Sequence, residues 1–243
     1  MYKQFPVSFS TIVSELSITF ALPTFIKKCK PDDSKCMLET AKIAIPYFGD
    51  GLKEYNVPMA DPLHIKSINA SQNNLLFLLK DITIVGLKNC EPKKVERDVA
   101  NSKFHISVLC TGTLDGQYEL KGALSALQIE GNGDIHVDLS KLLINISVDV
   151  DNEVKTGKDG EPHWHITSYK HKYELQQKAT IELENLFNGN ELLGRAAKEL
   201  LETSPNEVIA EVGPPIVLAV VDKIVKNVQS CFKKVPLNEL ITE

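Results

Sequence analysis

The stretch "SPNEVIAEVGPPIVLAVVDKIVKNVQSCFKK", Ser204 to Lys234, decides how the rest of the chain must fold. Ser204-Pro205-Asn206-Glu207 has the form of a capping box with Pro at the first helical position, so a helix is predicted to begin there. It is expected to run to about Lys234, with a kink or short break at Gly213-Pro214-Pro215, because proline removes a backbone donor and crowds the preceding turn. Ile216 to Val221 is apolar at every position. Beyond it, Ile224, Val225, Val228 and Phe232 keep one side apolar while Asp222, Lys226 and Lys233 mark the other. A helix that is apolar all round has to be enclosed.

The middle of the chain, from about Leu63 to Leu183, supplies the enclosure. Phe104, Ile106, Val108 and Cys110 alternate with polar residues, as do Ile129, Ile135, Val137 and Leu139, which is the period of half-buried antiparallel strands. Glycines within "GQYELKG" and "IEGNGD" are read as bends or bulges, and "KTGKDGE", Lys155 to Glu161, as a hairpin turn. The fold class is therefore α+β: a highly curved antiparallel sheet wrapped around a long C-terminal helix, with an elongated apolar space between them.

Between sheet and helix lies Asn185-Leu-Phe-Asn-Gly-Asn190. Ala179, Ile181 and Leu183 end a strand pattern; Asn188-Gly189 is a turn dipeptide; Asn190 is placed to cap a helix with apolar positions Leu192, Leu193, Ala196, Ala197, Leu200 and Leu201. Leu186 and Phe187 are expected to be buried anchors at this junction.

With 243 residues, 43% hydrophobic content, 24% charged residues and a net charge of -5, the chain has no basic footprint for nucleic acid. Its densest basic group, Lys93, Lys94 and Arg97, is interspersed with Glu91, Glu96 and Asp98 and reads as a solvated face. The run Phe5 to Ala21, closed by Thr19-Phe20-Ala21, reads as a signal peptide over residues 1–21, followed by a single domain over 22–243 and an extracellular location. No later apolar run approaches the ~18–20 residues of a membrane span.

Five cysteines agree with export. In "KKCKPDDSKC" a polar loop around Pro31 lets Cys29 and Cys36 form a disulfide; a zinc site lacks a second pair of ligands. A hairpin turn at Asn101-Ser102 sets Cys90 and Cys110 on opposite faces unless a bulge shifts the register. At least one thiol stays unpaired within the chain. Asn69-Ala-Ser71 and Asn145-Ile-Ser147 match the N-glycosylation pattern.

The sequence contains no Gly-x-Ser-x-Gly elbow, Gly-rich phosphate loop or His-Glu-x-x-His. In a strand, His163-Trp164-His165 would bury Trp164 and leave both histidines at the surface, so no metal is assigned. Cys231 on an apolar helix face reads as a core residue. The expected protein is not an enzyme and has no cofactor.

"GLKNC" from Gly86, "GQYELKGAL" with "IEGNGDIHVDL", "ENLFNGNELLG" and "FKKVPLNELI", together with the early Cys29/Cys36 pair, carry a resemblance to the takeout/juvenile-hormone-binding protein family of insects over essentially the whole chain after residue 21. The complete Asn185–Asn190 motif and the lack of a clear second disulfide to a mid-chain cysteine place it nearer the takeout branch. The resemblance implies a tubular lipid-binding architecture and a carrier, expected as a monomer, that holds a fatty acid, isoprenoid or juvenile-hormone-like lipid in an internal tunnel. It implies a lining drawn from Phe48 and Leu52 of the first helix; Phe77, Phe104, Ile106, Val108, Ile135, Val137, Leu139, Ile144, Ile146 and Val148 of the strands; and Val217, Val220, Val221 and Ile224 of the long helix. The rival reading is a secreted protein that contacts a receptor or, transiently, a membrane, its interior only a packed core.

Overall fold

One long hairpin forms the spine of the molecule. In chain order the elements are α1 (Ser34–Asp50), β1 (Leu63–Asn69), β2 (Leu75–Val85), β3 (Glu91–Asp98), β4 (Lys103–Leu124), β5 (Leu127–Val150), the short pair β6 (Lys155–Thr156) and β7 (Pro162–His163), β8 (Ile166–Leu175), β9 (Thr180–Leu183), α2 (Glu191–Thr203), α3 (Pro205–Val212), α4 (Pro214–Phe232) and α5 (Leu237–Leu240). The computed structural model describes residues 22–242 apart from 126, 152–154 and 157–158; the expected signal peptide lies outside the described residues.

β4 and β5 pair antiparallel from Leu124↔Leu127 at the tip to Lys103↔Asp149 at the far end. Each outer edge of this hairpin is covered by two shorter strands. β2 pairs the tip half of β4 and β3 its far half, while β9 pairs the tip half of β5 and β8 its far half. β1 extends the sheet beyond β2.

Two left-handed residues bend this sheet. Lys141 (φ 57°) sits where the β4–β5 register shifts, between Cys110↔Leu142 and Gly112↔Leu139. On its tip side the odd residues Ile129, Ile135, Val137 and Leu139 point inward; on its far side the even residues Leu142, Ile144, Ile146 and Val148 do. A one-residue bulge reverses which parity faces the core, and so lets one strand serve two differently angled halves of the sheet. Asp81 (φ 48°) does the same in β2, dividing buried Leu75, Phe77 and Leu79 from buried Ile82 and Ile84.

The glycine-rich blocks play two roles. Gly122 (φ 136°) lies so close to the backbone that an added Cβ would stand 2.0 Å from the Asn74 carbonyl oxygen. Gly131 does not bend β5. It forms a bridge with Leu186, and a Cβ there would meet the Tyr118 hydroxyl at 2.7 Å, so its lack of a side chain admits the junction segment.

Junction and helices depart from the sequence reading in places. Leu186 is buried, whereas Phe187 is half-buried with φ 51°, and Asn188 (φ 53°) and Gly189 (φ 79°) continue the left-handed turn. Asn190 caps α2 as expected, accepting from the N–H groups of Leu192 and Leu193. The buried stripe of α2 runs through Gly194, Ala197 and Leu201, leaving Leu192 (75%) and Leu193 (55%) exposed. Ser204 makes no side-chain cap bond. As the only residue between α2 and α3 it closes the former, donating its N–H to Leu200, while Asn206 turns to Gln177 and Ala179. The break at Gly213 is present, and the Tyr173 hydroxyl donates to the Ile209 carbonyl beside it.

α4 packs on β1 and on β8. Asn227 donates to the Pro58 carbonyl, the Gln229 side chain bonds Ile166 N–H and the Trp164 carbonyl, and the Tyr169 hydroxyl donates to Asp222. Its enclosure is incomplete, since Leu218 is exposed.

Both early cysteine expectations resolve. Cys29–Cys36 is bridged, with Cys36 inside α1 rather than in a loop. Cys90–Cys110 is a second disulfide, which removes its absence as a ground for branch assignment. The β3–β4 turn lies at Val99–Ser102, and a register shift between Pro92 and Lys94 brings Cys90 opposite Cys110. Cys231 is free and buried.

Candidate functional site

The inner face of the sheet and the facing side of α4 form an apolar interior divided into separate groups. Around the tip, Phe77 and Ile135 are buried with Val137 and Val220 packed beside them. Ile144, Val217 and Val221 form a second buried group, with Val108, Leu139 and Ile146 against it. Toward the far end Val148 and Trp164 are buried, with Phe104 and Ile106 alongside. Phe48 and Leu52 pack on a fourth group, Tyr55, Val57, Cys231 and Val235. Leu52 is not helical, because α1 ends at Asp50 and Leu52 bridges Val57. The residues named from sequence are thus spread along the whole interior. Ile224, on α4, is half-buried.

Burial is incomplete at several places in this row, with Phe104, Val108, Val137 and Leu139 half-buried. Ile106 pairs with Ile146 on the inner face, and both remain half-buried, although Ile144 and Val148 on either side are buried. Ile224, Val225 and Val228 on α4 are half-buried as well. An apolar side chain that keeps contact with water forgoes part of its ~1.5–3 kcal/mol of burial stabilisation.

The far end is closed by aromatics. Trp164 makes edge-to-face contacts with Phe104 (5.2 Å) and Phe232 (5.3 Å), and the Arg97 guanidinium carbon lies 4.9 Å from its ring centre and 5.7 Å from that of Phe104. The solvated reading of the basic group fails at Arg97. The pairs Val95↔Ile106 and Arg97↔Phe104 put Arg97 on the inner face, while Lys94 and Glu96 pair with each other on the outer one. The signal was in the sequence as the phase of Val95-Glu96-Arg97, hidden by the density of charge around it.

His163 also departs from its expected surface position. Strand β7 ends at His163, so the alternation does not carry through Trp164, and both side chains are buried. His163 Nδ1 donates to the Phe232 carbonyl (2.9 Å), and Nε2 lies 3.1 Å from each Asp159 carboxylate oxygen. Burial alone would raise Asp159, but hydrogen bonds from the Glu161 N–H and from His163 hold it below its ordinary value. The pair pins the β6–β7 hairpin to the end of α4. Among the described residues no group of three or more His, Cys, Asp or Glu side chains is arranged to hold a metal ion. Burial pushes the Cys231 thiol up to about 11, the reverse of what a nucleophile needs.

Two grooves of about 550 and 380 Å³ lie among polar side chains of the sheet. The first is bordered by Lys80, Glu119, Lys121 and Glu130, the second by Asp81, Asp115, Asp134, His136, Glu182 and Glu184. Their linings suit ions and water, not an apolar chain.

A family model described as haemolymph juvenile hormone binding protein (JHBP) matches residues 8–242. The circadian clock-controlled protein daywake of Drosophila melanogaster is 24% identical over 237 residues, covering 89% of this chain and 87% of its own. Its counterpart in Drosophila yakuba is 21% identical over 242 residues, covering 95% and 92%. The crystal structure of Takeout 1 from Epiphyas postvittana superposes with a TM-score of 0.84 at 27% identity, covering 90% of this chain and all (100%) of that one. Among the described residues no helix is long and apolar enough to cross a membrane.

Proposed function

The chain belongs to the haemolymph juvenile hormone binding protein family, takeout-like in sequence and fold, and from that premise we propose that it is a secreted carrier of a small hydrophobic ligand. The ligand, a fatty acid, isoprenoid or related lipid, lies along the inner face of the sheet against α4. The observation that carries this reading is the half-buried apolar pair Ile106 and Ile146, with half-buried Val225 of α4 packed on the same group as Ile146 and buried residues on either side. A ten-carbon chain moved there from water gains on the order of 8 kcal/mol before ordering costs, enough for micromolar binding or tighter without any catalytic group. Two disulfides among the described residues fit an oxidising compartment.

The test pairs two helix substitutions. Val220 is half-buried and Val221 is 3% exposed. Val220→Trp is expected to leave the fold intact and displace lipid, whereas Val221→Trp overpacks a filled position at a cost of about 1–3 kcal/mol. Thermal unfolding, displacement of a fluorescent fatty-acid probe and native mass spectrometry of protein secreted by insect cells read the outcome. Wild-type protein that binds no apolar probe and carries no lipid would refute the carrier. A contact with a receptor or membrane is favoured by one feature, the exposed Leu192 and Leu193 on the first turn of α2, and co-sedimentation of Leu192→Ser with vesicles tests it.

A further inference from the structure

The inner face of the sheet carries one cation whose hydrogen bonding is incomplete. Arg97 shares its face with Phe104 and Ile106, both of which pack into the interior, and its guanidinium lies over Trp164. Its Nη1 is buried, and among the described residues it is the buried side-chain nitrogen or oxygen without a hydrogen-bond partner. A guanidinium has five N–H donors and no acceptor, so only an acceptor can complete it. Leaving a buried donor unpaired is costly, more so when it is charged.

The acids of the adjoining segments are engaged elsewhere. Glu96 pairs with Lys94, Asp98 accepts from the Asn101 side chain, Asp149 is taken by Lys103 and Ser168, and Asp159 faces His163. The ring system around Arg97 is otherwise apolar: Phe104, Trp164 and Phe232, with Val148 and Val150 beside them. Stacking on Trp164 fixes the plane of the fork, and the aromatic wall keeps water from weakening a charge pair formed there. Burial lowers the guanidinium from its ordinary value, yet it keeps its charge at physiological pH.

We infer that Arg97 receives the carboxylate of a long-chain acid whose tail lies along Ile106, Ile146 and Val225, so the ligand class is a free fatty or isoprenoid acid rather than a neutral lipid. The inference rests on the carrier reading and narrows it. A carboxylate matches the guanidinium fork with two parallel N–H···O bonds, one of which completes Nη1. An ester or alcohol of the same chain keeps the tail contacts and loses the charge, so it distinguishes the head from the tail.

The experiment uses lipid-stripped full-length protein with cis-parinaric acid and its methyl ester, both intrinsically fluorescent. Wild type is expected to bind the acid at least tenfold more tightly than the ester. Arg97→Met should bind both as wild type binds the ester, and Arg97→Lys, which keeps the charge without the fork, should fall between. Ligand-free Arg97→Met should melt no lower than wild type, because it removes an unpartnered buried donor. The acid preference is also read on wild type alone: it should vanish as pH falls and the probe's carboxylate is protonated. Equal binding of acid and ester by wild type, or an acid preference that survives Arg97→Met, overturns the inference and leaves the carrier standing. If wild type binds neither probe, the carrier reading itself fails.

Discussion

The Tyr118 hydroxyl donates to the Glu184 carbonyl oxygen across 2.6 Å, tying the middle of β4 to the turn after β9. Burial first, and the Glu184 charge second, push the phenol up to about 12. A folded value above the unfolded one, near 10, means a contribution that is complete below pH ~10 and lost as pH rises toward 12. Tyr118→Phe is expected to lower stability by about 1–3 kcal/mol at neutral pH, measured by urea unfolding. The variant should also lose less stability than wild type between pH 10 and 12.

The junction makes a second prediction in which order matters more than size. Leu186 is buried beside Gly131, and Phe187 is half-buried in a left-handed conformation that an aromatic side chain disfavours. Leu186→Ala should therefore cost about 2–5 kcal/mol and Phe187→Ala only about 2, because partial exposure reduces the loss. Denaturant midpoints that place Phe187 as the larger anchor would contradict this geometry.

Disulfide removal should rank by loop size. Cys90–Cys110 closes a separation of 20 residues and Cys29–Cys36 one of 7, so loop-closure entropy gives about 3 and about 2.5 kcal/mol respectively. Paired Ser variants compared by thermal melting check both values. Buried Cys231 should resist alkylation in each until the protein unfolds.

On the outer face, His136 Nδ1 donates to Asp115 at 2.6 Å. That hydrogen bond raises the imidazole above its ordinary 6.5 against a smaller opposing effect of desolvation. A raised folded value stabilises fully below pH 6.5 and is lost as pH climbs through the raised midpoint. Asp115→Asn should bring the His136 NMR titration midpoint down, and its stability deficit against wild type should fade as pH rises above that midpoint.

Much of the architecture was readable because alternation and helical capping are local. Strand limits near Leu63 and Leu183, the Asn190 cap and the break at Gly213 all follow from neighbouring residues. The second disulfide was not readable, since its register depends on where the β3–β4 turn falls and on a bulge near Lys93. The burial of His163 is not legible because its strand ends there, so alternation does not carry on to Trp164 and His165. Arg97 is hidden for a different reason: charge density suggests solvent, while strand phase, which needs the register with Phe104, decides which face a side chain takes. The parity change from Ile135, Val137 and Leu139 to Ile144, Ile146 and Val148 was visible, but its cause, a left-handed Lys141, was not.

The spine hairpin also sets a timetable for folding. Leu124 meets Leu127 across a very short loop, and each later pair is appended to ends already held together, so Lys103 reaches Asp149, 46 residues away, without a fresh search of conformational space. Refolding should behave as a zipper, faster than so large a separation would suggest. Trp164, Phe232 and α5, which close the far end, all follow the hairpin in sequence and cannot dock until its last rungs are in place. Amide exchange should accordingly be slowest around Tyr118 and quickest near Lys103, so that the protein breathes from the end where Arg97 lies.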